Sequence, residues 1–525
     1  MEFRDINELE KATKRGRRES SRLGVGLIFV VCVMLFSSLL DEASGPHGIM
    51  LVVAAMIGGY MAMNIGANDV ANNVGPAVGS RAISMTGAII IAAIFEMGGA
   101  LVAGGDVVAT VQKGIIDPAA IADTERFIWV MTAALLAGAI WLNVATASGA
   151  PVSTTHSIIG AVLGAGIAAG GAEAANWATL SGIIASWVIS PVMGGVVAAG
   201  FLYWIKRSIT YQEDMVAAAQ RMVPILIGLM AFAFSTYLIL KGLNKVWEVG
   251  VVSAFGTGIA LGVATYWLVR RSITSKFEIL ENSKASINTL FTIPLICAAA
   301  LLSFAHGAND VANAVGPLAA IVDAAKHSGG AIADKASIPL WVMLVGATGI
   351  AIGLLLYGPK LIRTVGSEIT ELDQMRAFCI AMSAALTVII ASQLGLPVSS
   401  THIAVGGVFG VGFLREFIKT SYSQMIEEIK QHHAGADKKV VEAFLDRFGK
   451  ASIEEKRLML QQLKAHGATA ELSKIERKKI RQVYRHELVK RSALLRIAAA
   501  WIITVPISGV LAALVYYMIF GMVNA

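Results

Sequence analysis

The chain has 525 residues, 56% of them hydrophobic and only 15% charged, with a mean hydropathy of +0.67. Soluble domains carry about 25% charged residues, so this composition argues against a soluble enzyme, and the many apolar runs long enough to cross a bilayer predict an all-α polytopic membrane protein. The net charge of +7 is local: residues 415–491 hold 18 Lys/Arg against 11 Asp/Glu, a surplus equal to that of the whole chain, with interleaved acids and no motif that would suit nucleic acid.

In chain order, Lys11, Lys14, Arg15, Arg17 and Arg18 precede the first apolar run. They read as an uncleaved, cytoplasmic-type basic tail, residues 1–47 comprising that tail and the first span. Spans are expected at 22–40, 48–66, 82–104, 126–147, 176–204, 221–241, 249–270, 289–307, 338–357, 376–394 and 494–520. Cys32, Cys297 and Cys379 fall in separate apolar segments with no metal-like spacing, so neither a disulfide nor a structural metal is expected.

The second expected span ends in Gly66-Ala67-Asn68-Asp69-Val70-Ala71-Asn72-Asn73-Val74-Gly75-Pro76. Residues 307–317 repeat this stretch with one difference, Ala314 in place of Asn73, which marks an internal duplication. A second pair follows the same logic. Gly149, Pro151, Val152, Ser153, Thr154, Thr155 and His156 match Gly395, Pro397, Val398, Ser399, Ser400, Thr401 and His402. Proline removes a backbone donor and disfavours helix just before it, so each marks a break, and Ser or Thr after it is a good helix N-cap. Both stretches are expected to form short, broken, re-entrant segments rather than ordinary spans. A third match, Trp187, Pro191 and Gly194 with Trp501, Pro506 and Gly509, closes each repeat.

These matches divide the chain into transport repeat one at 48–204, linking spans at 205–288 and repeat two at 289–414 with a final span at 493–525. A basic segment, 415–492, is inserted in repeat two. It contains two capping-box patterns, Ser452 with Glu455 and Ser473 with Glu476, and reads as a helical cytoplasmic insert. With the breaks as re-entrant hairpins, about six crossings separate equivalent points, which on the count alone predicts parallel repeats.

The motifs offer two complementary chemistries. Asp69 and Asp310, with Asn68 and Asn309, are hard oxygen ligands suited to an alkali cation, and the Gly-Pro punctuation predicts unwound backbone there. Charged side chains are costly inside a membrane unless they serve a site. The helix N-termini at Ser153, Thr154, Thr155 and at Ser399, Ser400, Thr401 present N–H groups, a positive dipole end and hydroxyls, which suit an anion. Glu96, alone in an apolar run, is a candidate for coupling. So is His306, which stands where repeat one has Ile65. His156 and His402 serve either the hairpin or the ligand.

These paired motifs resemble the signatures of the PiT family of inorganic phosphate transporters, over both repeats. The resemblance implies a sodium:phosphate symporter with two inverted repeats, re-entrant helical hairpins and a homodimer in a lipid membrane. It implies the plasma membrane, or the inner membrane of a bacterium, and no cofactor beyond co-transported sodium. Its cation and phosphate residues fall here on Asn68, Asp69, Asn72, Ser153, Thr154, Thr155, Asn309, Asp310, Asn313, Ser399, Ser400 and Thr401. Glu96 matches a glutamate of the family's animal members, whose second intramembrane glutamate is Ala381 here. The stretch 77–80, Glu96 and 113–117 resemble the sodium-driven branch more than the proton-driven one. The alternatives are a proton-coupled phosphate, metal-phosphate or sulfate permease and, more remotely, an anion channel or a membrane hydrolase built on Ser153, His156 and Asp69.

Overall fold

In hydrocarbon each backbone N–H and C=O must be satisfied within its own segment, so long apolar runs fold as helices. The computed structural model describes residues 3–121, 123–148, 152–243, 247–277, 280–326, 338–368, 372–431 and 491–524. Among these, 12 helices are long and apolar enough to cross a membrane, and no sheet forms beyond an isolated bridge between Ile116 and Ala175. The α-helices, spanning and shorter alike, are in chain order α1 (Phe3–Ser38), α2 (Gly48–Asn68), α3 (Val70–Gly79), α4 (Met85–Ala103), α5 (Gly105–Lys113), α6 (Thr124–Ser148), α7 (Thr154–Gly170), α8 (Trp177–Ile205), α9 (Met215–Lys241) and α10 (Val251–Phe277). Then follow α11 (Lys284–Thr289), α12 (Thr292–Asp310), α13 (Ala312–Lys326), α14 (Leu340–Glu368), α15 (Gln374–Gln393), α16 (Ser400–Gln431) and α17 (Arg491–Asn524).

Packing exchanges the halves. Helix α2 lies on α14 as α12 lies on α4, and α7 lies on α17 as α16 lies on α8. Small residues permit these approaches, as they do between helices in lipid generally. A β-carbon at Gly66 would run into the Ile350 carbonyl oxygen, and one at Gly307 into that of Glu96. The contacts also give direction. Gly59 meets Val345 and Gly353 meets Met63, so α2 and α14 run parallel. Gly98 meets Phe304, Gly104 meets Val311 and Gly316 meets Val111, so α12–α13 runs parallel to α4–α5. Helices α3 and α4 fold back on each other, with Asn73 reaching Glu96.

The tail and first span form one continuous helix, α1, whose apolar part, Glu19–Ser38, is the expected first span. One expectation is corrected. The Asn/Asp stretches hardly unwind: α2 yields to α3 at Asp69 alone and α12 to α13 at Val311 alone, with Pro76 and Pro317 inside helices. Asp69 N still donates to the Ile65 carbonyl and Val311 N to that of Gly307, so the ladder is nearly intact. The helices that follow the two breaks differ in length. Ser400–Ile418 is long and apolar enough to span, which makes a twelfth candidate; its repeat-one counterpart, Thr154–Gly170, is shorter. The apolar run after each serine cap is uninterrupted, so the helix continues. Gly149, Ala150 and Pro151 lie outside the described residues, as does the insert from 432 to 490 with both capping boxes.

A test of this packing is Gly66→Val, which must push α14 off α2. Overpacking a tight contact costs about 1–3 kcal/mol or more, so folded protein recovered in detergent should fall and its thermal midpoint drop. Gly182→Ala, where a β-carbon would meet nothing within 4 Å, should leave both unchanged.

Candidate cation and anion site

Helix register divides each duplicated stretch into faces. Asp69 and Asn72, three apart, share one face of the α2–α3 rod, and Asp310 and Asn313 share the matching face of α12–α13. Both aspartates are buried. Their carboxylate oxygens and a ring nitrogen of His306 lie within 4.8 Å of one another. Two carboxylates this close in a buried site repel, so the arrangement is unfavourable unless hydroxyls, a histidine or a cation compensate.

The hydroxyls come from the two breaks. Ser153 caps α7 by accepting from His156 N at 3.1 Å, and Ser399 caps α16 by accepting from His402 N at 3.3 Å. The first turn after each cap brings a hydroxyl to the aspartates, Thr154 from α7 and Thr401 from α16. Thr154 Oγ1 stands 2.5 Å from Asp69 Oδ2 and 3.3 Å from Asp310 Oδ2, bridging the halves. Thr401 donates to Asp69 Oδ1 at 3.2 Å. The asparagines then cross the interface: Asn72 donates to Thr401 at 2.8 Å, and Asn313 to Thr154 at 3.1 Å and Thr155 at 3.2 Å. Thr155 itself donates to the Val398 carbonyl at 3.0 Å. Buried Ser400 Oγ has no partner within the protein. Two helix N-termini, one from each repeat, thus converge on two carboxylates.

Asn68 and Asn309 sit differently. Asn309 donates to Ser392 Oγ at 2.9 Å and the Leu396 carbonyl at 3.1 Å, and accepts from Val398 N at 3.2 Å. Asn68, with its amide turned to satisfy both ends, accepts from Thr146 at 2.9 Å and donates to the Val152 carbonyl at 3.2 Å and to Asp69 Oδ1 at 3.1 Å. These two asparagines pin the breaks. At the second break Gly395 adopts φ +66°, the left-handed region that favours glycine. Its carbonyl accepts from Thr110 of α5 at 2.7 Å, while Asp106 of α5 pairs with Lys241 of α9.

Glu96 and His306 join the cluster. His306 Nδ1 lies 2.7 Å from Glu96 Oε2, and Nε2 lies 3.0 Å from Asp310 Oδ2. The second contact is at ion-pair distance but off the angle of an aligned hydrogen bond. Asn73, which the sequence reading passed over, donates to Glu96 Oε1 at 2.7 Å. The signal was present, since position 73 is where the two motif copies differ.

His156 and His402 are not brought to the carboxylates by any contact. Their rings meet each other with centroids 4.4 Å apart, and Trp187 and Trp501 cover them at 3.8 and 3.6 Å. This arrangement also removes the hydrolase reading. Ser153 is spent as a cap, the His156 ring lies against tryptophan, and Thr154 rather than Ser153 meets Asp69.

A family model described as "Phosphate transporter family" matches residues 65–512. A protein of Helicobacter pylori named "Putative phosphate permease" is 53% identical over 524 residues, covering 98% of each chain. One of like name in Pyrococcus abyssi is 40% identical over 366 residues, 70% of this chain and 89% of that one. A solved structure titled "The sodium-dependent phosphate transporter" superposes with a TM-score of 0.72 at 30% identity, covering 90% of this chain and 99% of the other. The duplicated motifs and the buried site shared between the halves fall within the matched region, and the chain belongs to the phosphate transporter family, whose members are transporters and not enzymes.

Proposed function

We propose that the protein is a secondary symporter that takes up inorganic phosphate with sodium by alternating access. The observation that carries this reading is the meeting of Asp69 and Asp310 with the N-termini of α7 and α16 in one buried cluster. Phosphate near neutral pH is largely a dianion, and placing it beside two carboxylates in a low-dielectric site requires cations. Sodium on the carboxylates meets that requirement, and Asn72, Asn313, Ser153, Thr154, Thr155, Ser399, Ser400 and Thr401 then surround the anion. Coupling follows from the hydroxyl inventory. Thr154 and Thr401 each have one O–H, and both point at Asp69. A sodium ion that takes over the carboxylate releases those donors to phosphate.

Alternating access by rocking suits inverted repeats. Three packing relations support inversion. Helix α14 runs parallel to α2, α4 turns back from α3, and α14 corresponds to α4, so the equivalent helices point oppositely. The reading puts the carrier in the plasma membrane, or the inner membrane if bacterial, with lipid around it. It takes the homodimer from the resemblance, and the regulatory or structural role of the insert 415–492 from that segment's basic, helix-capping sequence.

The second reading is proton coupling, favoured by the buried contact between His306 and Glu96. Labelled-phosphate uptake into proteoliposomes under an inward sodium or an inward proton gradient separates the two. Uptake is expected to require sodium and to ignore excess sulfate. Proton-driven uptake without sodium would overturn the coupling ion, and sulfate competition would overturn the substrate. Fluxes at ionic-current rates would make the protein a channel.

A further inference from the structure

Helix packing assigns every site residue a counterpart. Gly307 lies against the Glu96 carbonyl as Gly66 lies against that of Ile350, and Gly99 lies against the Phe304 carbonyl as Gly353 lies against that of Met63. Glu96 therefore occupies the place that Ile350 has in the other half. The motif alignment sets His306 opposite Ile65 and Asn73 opposite Ala314. Three polar residues in mutual contact on one side thus correspond to three apolar ones on the other, and all six are buried.

This arm ends on one aspartate only. Asn73 holds Glu96, Glu96 holds His306 Nδ1, and His306 Nε2 stands at Asp310 Oδ2. With Oδ2 so engaged, Asp310 Oδ1 has no donor among the described residues, and neither has Oδ1 of Asn313, one helical turn on. Asp69 differs, for each of its carboxylate oxygens accepts a threonine hydroxyl. Unpartnered buried acceptors are costly unless a ligand completes them.

We propose that Asn73, Glu96 and His306 are positioning residues that hold Asp310 with Oδ1 presented. The two half-sites are then unequal, and the half built on Asp310 and Asn313 takes the first sodium. This rests on the sodium–phosphate reading above. Asp69 takes its ion afterwards, when its hydroxyls turn to phosphate.

The test is the sodium dependence of phosphate uptake by full-length protein in proteoliposomes. Asn73→Ala installs the residue of the mirror position and removes one hydrogen bond to a charged group. The sodium concentration for half-maximal uptake should rise about tenfold, while half-saturation by phosphate at saturating sodium stays within about twofold. Asn73→Gln, which can still donate to Glu96, should restore most of the loss. Glu96→Gln keeps the shape and removes the charge, so it should raise the sodium requirement likewise, and it decides the matter if Asn73→Ala fails to fold. Wild-type uptake that ignores sodium would overturn the underlying reading. Sodium-dependent wild-type uptake whose sodium requirement is unmoved in these variants would overturn this inference alone, as would a lower maximal rate with an unchanged sodium requirement.

Discussion

Asp69→Asn and Asp310→Asn should each lower phosphate uptake by roughly a hundredfold or more, while the folded protein survives with an unchanged or higher thermal midpoint. The two halves of this expectation have one cause. The carboxylate oxygens lie within 4.8 Å, and two unit charges at that distance repel by ~3 kcal/mol at an effective dielectric of about 20. A neutral amide of the same shape relieves that repulsion; its one oxygen can still accept a threonine hydroxyl, and at position 69 its N–H2 can donate to the oxygen of the other, so stability holds. What it loses is the negative charge that a cation needs, an interaction worth several kcal/mol in a buried site. Sodium should raise the thermal midpoint of the wild type, because a ligand that binds only the folded state stabilises it by mass action. In both variants that gain should shrink. A fall in midpoint without sodium, together with an intact sodium-dependent gain, would make the aspartates structural and sink the assignment.

Which parts of this site could be read from the chain is itself a physical matter. The duplicated stretches at 66–76 and 307–317 announce themselves because an Asp in an apolar run has few reasons to be there. Those stretches were read as a block, and helical register splits them. Asp69 and Asn72 share the face toward Thr154 and Thr401, while Asn68, about 100° away around the helix, looks toward Thr146. Asn68 and Asn309, expected among the ion ligands, brace the breaks through their amides, and Asn68 also reaches Asp69 Oδ1 at 3.1 Å. Helix α16 was underestimated for a related reason. Its polar start at Ser400 and Thr401 breaks the apolar window, yet serine capping lets the helix run on to Gln431. The exchange of α2 onto α14 and α12 onto α4 was not legible at all, since no local pattern says which distant glycine receives which carbonyl. It matters most, because it brings His306 of one repeat to Glu96 of the other.

The larger contrast in the anion half of the site is between Thr154 and its counterpart Ser400. Thr154 touches both aspartates and accepts from Asn313, so it is tied to both cation half-sites at once. Ser400 Oγ has no partner within the protein. Thr154→Val keeps the volume and deletes the hydroxyl, leaving Asp69 Oδ2 without a donor and Asn313 with Thr155 alone to donate to. Each buried polar group so orphaned costs about 1–3 kcal/mol, and the O–H that sodium would release to phosphate is gone. Uptake should fall on the order of a hundredfold, through both the sodium and the phosphate dependence. Ser400→Ala orphans nothing and should act on phosphate alone, raising its half-saturation by about tenfold through loss of one hydrogen bond to a charged ligand, with the sodium requirement unmoved. Thr154→Ser, which restores the hydroxyl, should recover most of the activity. The measurement is paired sodium and phosphate titrations of uptake for the three variants. Equal losses in Thr154→Val and Ser400→Ala would mean that both hydroxyls merely line the anion, and that sodium and phosphate are not coupled through Thr154. A split of the expected kind would tie the two ligands together at one O–H group, which is the economy a symporter needs: the donor is withheld from phosphate until the cation has taken its place on Asp69.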